Sequence, residues 1–179
     1  MNPVNAHIPS YDPERVYLLE VQDNDVVLGE LVDHRRAEEQ NLTQACVYAA
    51  VFNSSGQIFI QHRAAAKRLY PDAKTISVSG HVDPGETFEQ AVRREAEEEL
   101  GIHLQPHTMR KLGFFTGLSH CGPVYAATSD QIPRPDPVEV DAAKSRFVEV
   151  SELRQMLKEP DQFTPSGIAS LNILLKEME

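Results

Sequence analysis

Apolar and polar residues alternate or cluster along most of the chain in short runs, which predicts many brief strands and few long helices. Val16–Val21 and Val26–Val32 read as two strands joined at Asp23-Asn24-Asp25, a hairpin-type turn. Asp33–Gln40 is charged and suits one or two helical turns. Ala45–Phe52 is small and apolar throughout and ends at the turn Asn53-Ser54-Ser55-Gly56. Gln57–Gln61 alternates, and Thr75–Val78 predicts a short strand before Gly80. Leu112–Leu118 and Val124–Thr128 predict a hairpin with Ser119–Gly122 as its turn. Arg146–Val150 predicts a further strand, leading into a helix from Ser151.

Two longer helices have explicit boundary signals. Thr87 with Gln90 three residues on is a capping box, so a helix starts at Phe88, and Leu100-Gly101 ends it. Near the C-terminus, Thr164 caps and Pro165 fits the first turn of a helix carrying Ile168, Leu171, Ile173, Leu174 and Leu175. Strands, a helix, strands and then helices predict a mixed α/β sandwich rather than a strictly alternating parallel sheet. The chain has 179 residues, enough for one domain with its own core. We expect a flexible arm over residues 1–15 and a single domain over residues 16–179.

Composition narrows the function classes. Two cysteines, Cys46 and Cys121, make neither a disulfide framework nor a four-cysteine zinc site. Cys46 reads as core, as do Tyr48, Phe115 and Tyr125. No apolar run reaches the ~20 residues of a membrane span, and the start has no basic, then apolar, leader pattern. The expectation is a cytoplasmic protein without a membrane partner. The formal net charge is -10, which argues against a basic surface for duplex nucleic acid. Half of that excess lies between Gly80 and Ile102, where 2 Lys/Arg face 7 Asp/Glu.

At about 100° per residue, Phe88, Val92, Ala96 and Leu100 form an apolar arc on this helix. Glu95, Glu98 and Glu99 share the face beside it, and Glu97 points away. Like charges at these spacings destabilise a helix by about 0.2–0.5 kcal/mol per pair, and more so near its C-terminus, where the dipole disfavours anions. A nearby cation offsets both effects, and carboxylate oxygens suit Mg2+ or Mn2+. A solvated helix face gives the same run of glutamates, so the spacing leaves both readings open.

The segment GHVDPGETFEQAVRREAEEELGI resembles the Nudix box, the signature of the Nudix hydrolases. Gly80, Glu86, Arg94, Glu95, Glu98, Glu99, Gly101 and Ile102 fall in register, and Ala96 stands where a bulkier aliphatic is usual. The resemblance implies a mixed sheet sandwiched between helices, and hydrolysis of a nucleoside diphosphate linked to another group. It implies Mg2+, with Mn2+ as substitute, on Glu98 and Glu99, with Glu95 as third ligand or as the base that activates water. Arg94 would orient a carboxylate, Glu86 would be a further ligand or a structural partner, and the Gly80 carbonyl would face the metal. Many relatives are dimers, so the resemblance admits a homodimer.

Residues 16–178 further resemble the isopentenyl-diphosphate isomerase-like branch of that superfamily, through VFNSSGQIFIQHRAAAKRLYPDAKTISVSGHV and QFTPSGIASL. Arg63 and Lys67 match diphosphate-binding positions, and Arg68 and Lys74 extend a basic patch. The departures favour hydrolysis. Ser79 stands where the isomerases have a reactive cysteine, and a hydroxyl is no thiolate. Gln44 replaces a histidine ligand, leaving His81, while Glu95 and Glu98 are acidic where the isomerases have lost their acids. Glu139 stands where many Nudix enzymes carry a distal glutamate. The expected function is metal-dependent cleavage of a phosphoanhydride bond in a nucleotide or nucleotide derivative. The alternatives are isopentenyl-diphosphate isomerisation and a catalytically silent nucleotide-binding module.

Overall fold

A computed structural model describes residues 15–22 and 25–179. The arm expected over residues 1–15 therefore lies, but for Arg15, outside the described residues, as do Asp23 and Asn24 of the first turn. Among the described residues, the strands are β1 (Arg15–Gln22), β2 (Asp25–Asp33), β3 (Gln44–Phe52), β4 (Ile58–His62), β5 (Lys74–Thr75), β6 (Val78–His81), β7 (Met109–Thr116), β8 (His120–Thr128) and β9 (Arg146–Val148). The α-helices are α1 (His34–Glu39), α2 (Phe88–Leu100), α3 (Val150–Met156) and α4 (Pro165–Glu177). No helix among these residues is long and apolar enough to cross a membrane.

β3 is the axis of the fold. One edge pairs in parallel with β8, from Gln44↔His120 to Phe52↔Thr128. The other edge meets three antiparallel partners in turn: β1 at Gln44, β6 from Cys46↔His81 to Ala49↔Val78, and β4 at Phe52. Its side chains alternate between two cores, as a strand buried on both faces requires. Ala45, Val47, Ala49 and Val51 pack with Ala91, Val92, Ala96 and Leu100 of α2. Cys46, Tyr48 and Ala50 pack with Leu153 of α3 and Leu171 and Leu174 of α4. The expected sandwich of a mixed sheet between helices is what forms.

The helix termini follow their sequence signals. The Thr87 and Gln90 side chains cap α2 reciprocally, and Gly101 closes it at φ 62°, a left-handed conformation that glycine adopts without strain. Thr164 caps α4 by accepting from the Gly167 N–H at 3.0 Å. Asp33 caps α1, accepting from the Arg36 N–H at 2.9 Å.

Two strand assignments change. Thr75–Val78 is not one strand: β5 pairs with β4, β6 pairs with β3, and the chain crosses between them at Ile76 and Ser77. The crossing fills the gap where β3 and β4 diverge after their single pair, Phe52↔Ile58. Ser77 donates to the Phe59 carbonyl at 2.5 Å and accepts from the Val51 N–H at 2.8 Å, so its hydroxyl replaces a missing ladder bond. The second change is at the β7–β8 hairpin. Its turn is Gly117-Leu118-Ser119, whereas His120, Cys121 and Gly122 already belong to β8. Leu118, an apolar residue that reads as strand, sits at the tip with 97% exposure.

Ser77→Ala would leave the buried Val51 N–H without an acceptor. We expect a loss of about 1–3 kcal/mol of stability, measured by urea denaturation. An unchanged midpoint would show that β3 and β4 are not tied through this hydroxyl.

Candidate active site

The site is assembled by the connection from β6 into α2. Asp83-Pro84-Gly85 turns the chain, with the Glu86 N–H donating to the Asp83 carbonyl at 3.0 Å. The Asp83 N–H in turn donates to Glu86 Oε2 at 3.1 Å. Tyr17 of β1 accepts from the Gly85 N–H at 3.0 Å and ties the turn to the sheet. α2 then rises from its cap and carries its glutamates back over β6.

Arg94 holds the carboxylates in place. Its Nε donates to Glu86 Oε1 at 2.9 Å and lies 3.4 Å from Asp83 Oδ2. One terminal nitrogen donates to Glu95 Oε1 at 2.8 Å and to Glu98 Oε2 at 2.9 Å. The other donates to the His81 carbonyl at 2.8 Å. Only a planar fork with several fixed donors serves so many acceptors at once. Burial disfavours the charged guanidinium, but the hydrogen bonds and charges of Glu86 and Glu95 outweigh it, and its pKa stands above the ordinary value.

Glu99 sits deeper than the rest. It is 5% exposed and accepts from the Ser79 N–H at 3.1 Å. Burial, and then the charge of Glu95, push its carboxyl up to about 8. Burial likewise raises Glu95 to about 7 against the pull of Arg94. Asp83 is also raised by burial, with Arg94 opposing. Four carboxylates thus share one guanidinium, and Glu99 adds a fifth acidic group behind them without touching it. The backbone is fitted to them, since a Cβ on Gly80 would lie 2.0 Å from Glu95 Oε1. Glu97, read as pointing away, is exposed and pairs with His103 at 3.3 Å.

Most of these groups line a pocket of about 630 Å³. Glu95, Glu98, Glu99, Arg94 and Gly80 all reach it, as do Arg63 and Lys67 from the loop after β4. Glu86 stands behind them, on Arg94. Lys67 Nζ forms an ion pair with Glu139, which brings that distal glutamate to the pocket as well. Arg63 is braced by the Leu69 carbonyl, at 3.2 Å from Nε and 3.1 Å from a terminal nitrogen. Arg68 and Lys74 do not extend this patch: Arg68 pairs with Glu38, and Lys74 bonds Gln162 beside the Phe163 ring.

The rest of the pocket lining was only partly legible in the sequence. Cys46 and Tyr48 are buried as expected, yet both also line the pocket. Phe115 packs edge-on against Tyr48 with ring centroids 5.2 Å apart, and Tyr125 lies in the core on the α2 side of the sheet. His81 is flanked by the rings of His34, at 4.9 Å, and His120, at 5.4 Å. Burial first, then the neighbouring His120 and His34, lower the His81 pKa to about 3, so its ring is neutral. His34 arrives at the start of α1, and Arg15 of β1 also reaches the pocket. Asp83, read only as a turn residue, is a fifth carboxylate of the cluster. No motif flags Arg15, His34, Cys46 or Tyr48, which distant segments bring together, whereas His81 is the histidine singled out by the isomerase-like resemblance and Asp83 lies within the acidic segment.

Known proteins share this architecture. A family model described as the NUDIX domain matches residues 42–167. A Nudix hydrolase of Deinococcus radiodurans is 35% identical over 128 residues, covering 69% of this chain and 74% of that protein. An isopentenyl-diphosphate Delta-isomerase of Kocuria rhizophila is 31% identical over 137 residues, covering 72% and 74%. A crystal structure of a Deinococcus radiodurans protein superposes with a TM-score of 0.65 at 30% identity, over 82% of this chain and 90% of that one. With the domain match spanning β3 to the start of α4, and the acidic helix in its expected place, the chain belongs to the Nudix family.

Proposed function

We propose that this protein is a Mg2+-dependent pyrophosphohydrolase that cleaves a phosphoanhydride bond in a nucleotide or nucleoside-diphosphate derivative, acting as one domain over residues 16–179. The observation that carries the reading is the gathering of Asp83, Glu86, Glu95 and Glu98 around a single guanidinium, with Glu99 beside Glu95 and with Arg63 and Lys67 lining the same pocket. Buried carboxylates whose protons are held up to about 7 and 8 lack sufficient positive charge around them. Oxygen donors of that kind fit a hard divalent cation, with Glu95, Glu98 and Glu99 as the ligands and the Gly80 carbonyl and Glu86 beside them.

A bound cation supplies positive charge to the phosphoryl oxygens, where negative charge spreads during the displacement. The chain's own residues do the remainder. Arg63 and Lys67 contact the phosphates, and the ion pair with Glu139 aims Lys67 into the pocket. Arg94 fixes the carboxylates, so little reorganisation accompanies the reaction. Glu95, at the pocket floor against Gly80, takes the proton from the attacking water. Hydrolysis is favoured over isomerisation by Ser79, whose hydroxyl cannot do the work of a thiolate, and by the retained acids on α2.

The decisive experiment incubates the protein with Mg2+ and a panel of nucleoside di- and triphosphates, sugar nucleotides and dinucleotides, with isopentenyl diphosphate alongside. We expect phosphate, pyrophosphate or a nucleoside monophosphate as product. Glu98→Gln and Glu99→Gln should each lower the rate by about 100-fold or more. An allylic diphosphate as sole product would replace this reading with isomerisation, and full activity in both variants would exclude these carboxylates.

A pH dependence follows from the raised carboxyls. Their folded pKa values lie above the unfolded ones, so the folded state binds the extra protons. Without metal, this contribution to stability is present at low pH and is lost as pH rises from about 4.5 through about 8. A divalent ion competes with those protons. The gain in Tm on adding Mg2+ should therefore be larger at pH 8 than at pH 6, by differential scanning fluorimetry. An equal or larger gain at pH 6 would place the ion elsewhere.

A further inference from the structure

We propose that Tyr70, with Leu69 beside it, recognises the part of the substrate beyond the phosphates, and that this part is the flat face of a nucleobase. The inference rests on the phosphate-site reading given above and adds the residue that selects what is attached to those phosphates.

Of the exposed large apolar side chains among the described residues, only Leu69, at 47%, and Tyr70, at 51%, line the pocket that holds the carboxylates. Neither side chain packs into the cores of the fold. The Tyr70 hydroxyl has no hydrogen-bond partner among the described residues. A half-exposed aromatic ring leaves an apolar face in water, and a second π-system laid against that face covers it favourably.

The rest of the loop is tied down. Lys67 pairs with Glu139, Arg68 with Glu38, and Asp72 with Lys144 at 2.8 Å. The Arg63 N–H donates to the Ala73 carbonyl at 2.9 Å, and the Ala64 N–H to the Glu139 carbonyl at 3.0 Å. Leu69 and Tyr70 are therefore held by their neighbours while their own side chains stay free. That is how a preorganised recognition group is built.

The backbone at Tyr70 is unusual. Tyr70 and Asp72 both have positive φ, 51° and 58°. The Tyr70 carbonyl accepts from the Ala73 N–H at 3.4 Å, which closes a turn with Pro71 second and Asp72 third. A type II turn asks for a left-handed third residue, so Asp72 is accounted for. It asks for none at its first position, where a bulky residue is strained and a following proline favours extended backbone. Strain of this kind persists where the surroundings impose it, and it gathers at binding sites.

The same surroundings include the phosphate group of residues. Arg63 donates to the Leu69 carbonyl at 3.2 and 3.1 Å, the carbonyl of the peptide that leads into Tyr70. Lys67 precedes Tyr70 by three residues, at most about 11 Å of backbone. One nucleotide can therefore meet Lys67 with its phosphates and Tyr70 with its base. Stacking on a ring tolerates any base, since every base has a π-face, so the site selects nucleotides as a class.

The test uses the full chain with Mg2+ and probes that cannot be cleaved between their phosphorus atoms. These are α,β-methylene-ADP, α,β-methylene-UDP and methylenediphosphonate, which keeps the linked phosphorus groups and has no nucleoside. Isothermal titration calorimetry gives each Kd. We expect both nucleotides to bind at least about tenfold more tightly than methylenediphosphonate, and Tyr70→Ala to cut that preference by about tenfold. Tyr70→Phe should keep it, because the ring and not the hydroxyl stacks. Tyr70→Gly relaxes the left-handed backbone, so it should raise Tm and still lose the preference. A merely structural role for Tyr70 would leave the glycine variant binding as the natural chain does. Equal Kd values for nucleotides and methylenediphosphonate in the natural chain would overturn the proposal. So would a preference that survives Tyr70→Ala or Tyr70→Gly, or one that is lost in Tyr70→Phe. Absence of turnover in the substrate panel would sink the hydrolase reading without moving these Kd values, and turnover without a base preference would sink only the role of Tyr70.

Discussion

The candidate site depends on one guanidinium. Arg94 touches Glu86, Glu95 and Glu98 and lies near Asp83, and it also bonds the His81 carbonyl on β6. It therefore joins the turn, the helix and the strand that build the pocket floor. Its single positive charge cannot balance the carboxylates around it. The surplus shows in Glu99, the most buried of them, whose proton is held by desolvation rather than by a partner. An arrangement of this kind is stable as a scaffold but electrostatically unfinished, and the proposed cation would complete it.

The sheet explains why the scaffold tolerates such a charge. β3 is buried on both faces, and its small residues on the α2 side let that helix lie close. α2 uses its apolar arc for this contact, so Glu95 and Glu99 beside the arc are pressed against β6, while Glu98 stays exposed. The penalty of clustering like charges is met by core packing on the same helix, since burial of Val92, Ala96 and Leu100 outweighs pairwise repulsions of a few tenths of a kcal/mol.

What the sequence discloses follows the range of the interactions. α2 is legible to the residue because a capping box, a helical period and a C-terminal glycine are all local. So is the cap of α4, whereas Asp33, read as part of the first helical stretch, is its cap. The Thr75–Val78 segment misleads because its division into two strands comes from the divergence of β3 and β4, which lies elsewhere in the chain. The β7–β8 turn misleads because Leu118 looks like strand and Ser119–Gly122 looks like turn, while the pairing with β3 draws His120 and Cys121 into β8. The same displacement hides His120 as a pocket residue. Asp83 reads as turn chemistry, which it also performs, so its carboxylate contact with Arg94 leaves no separate mark in the sequence.

The residues that line the pocket also differ in how they are encoded. The carboxylates Asp83, Glu95, Glu98 and Glu99 come from one continuous segment, Gly80 to Ile102, and owe their order to its turn and helix. Cys46, His81 and His120 come from three paired strands and owe their order to the register. A shift of β8 by one residue would turn His120 to the opposite face of the sheet. The parallel pairing of β8 with β3 is held from Gln44 to Phe52 and is backed by β7 on the far side. His120 therefore reaches the pocket through the strand register of the core, whereas the acidic charge conspicuous along the chain reaches it through α2.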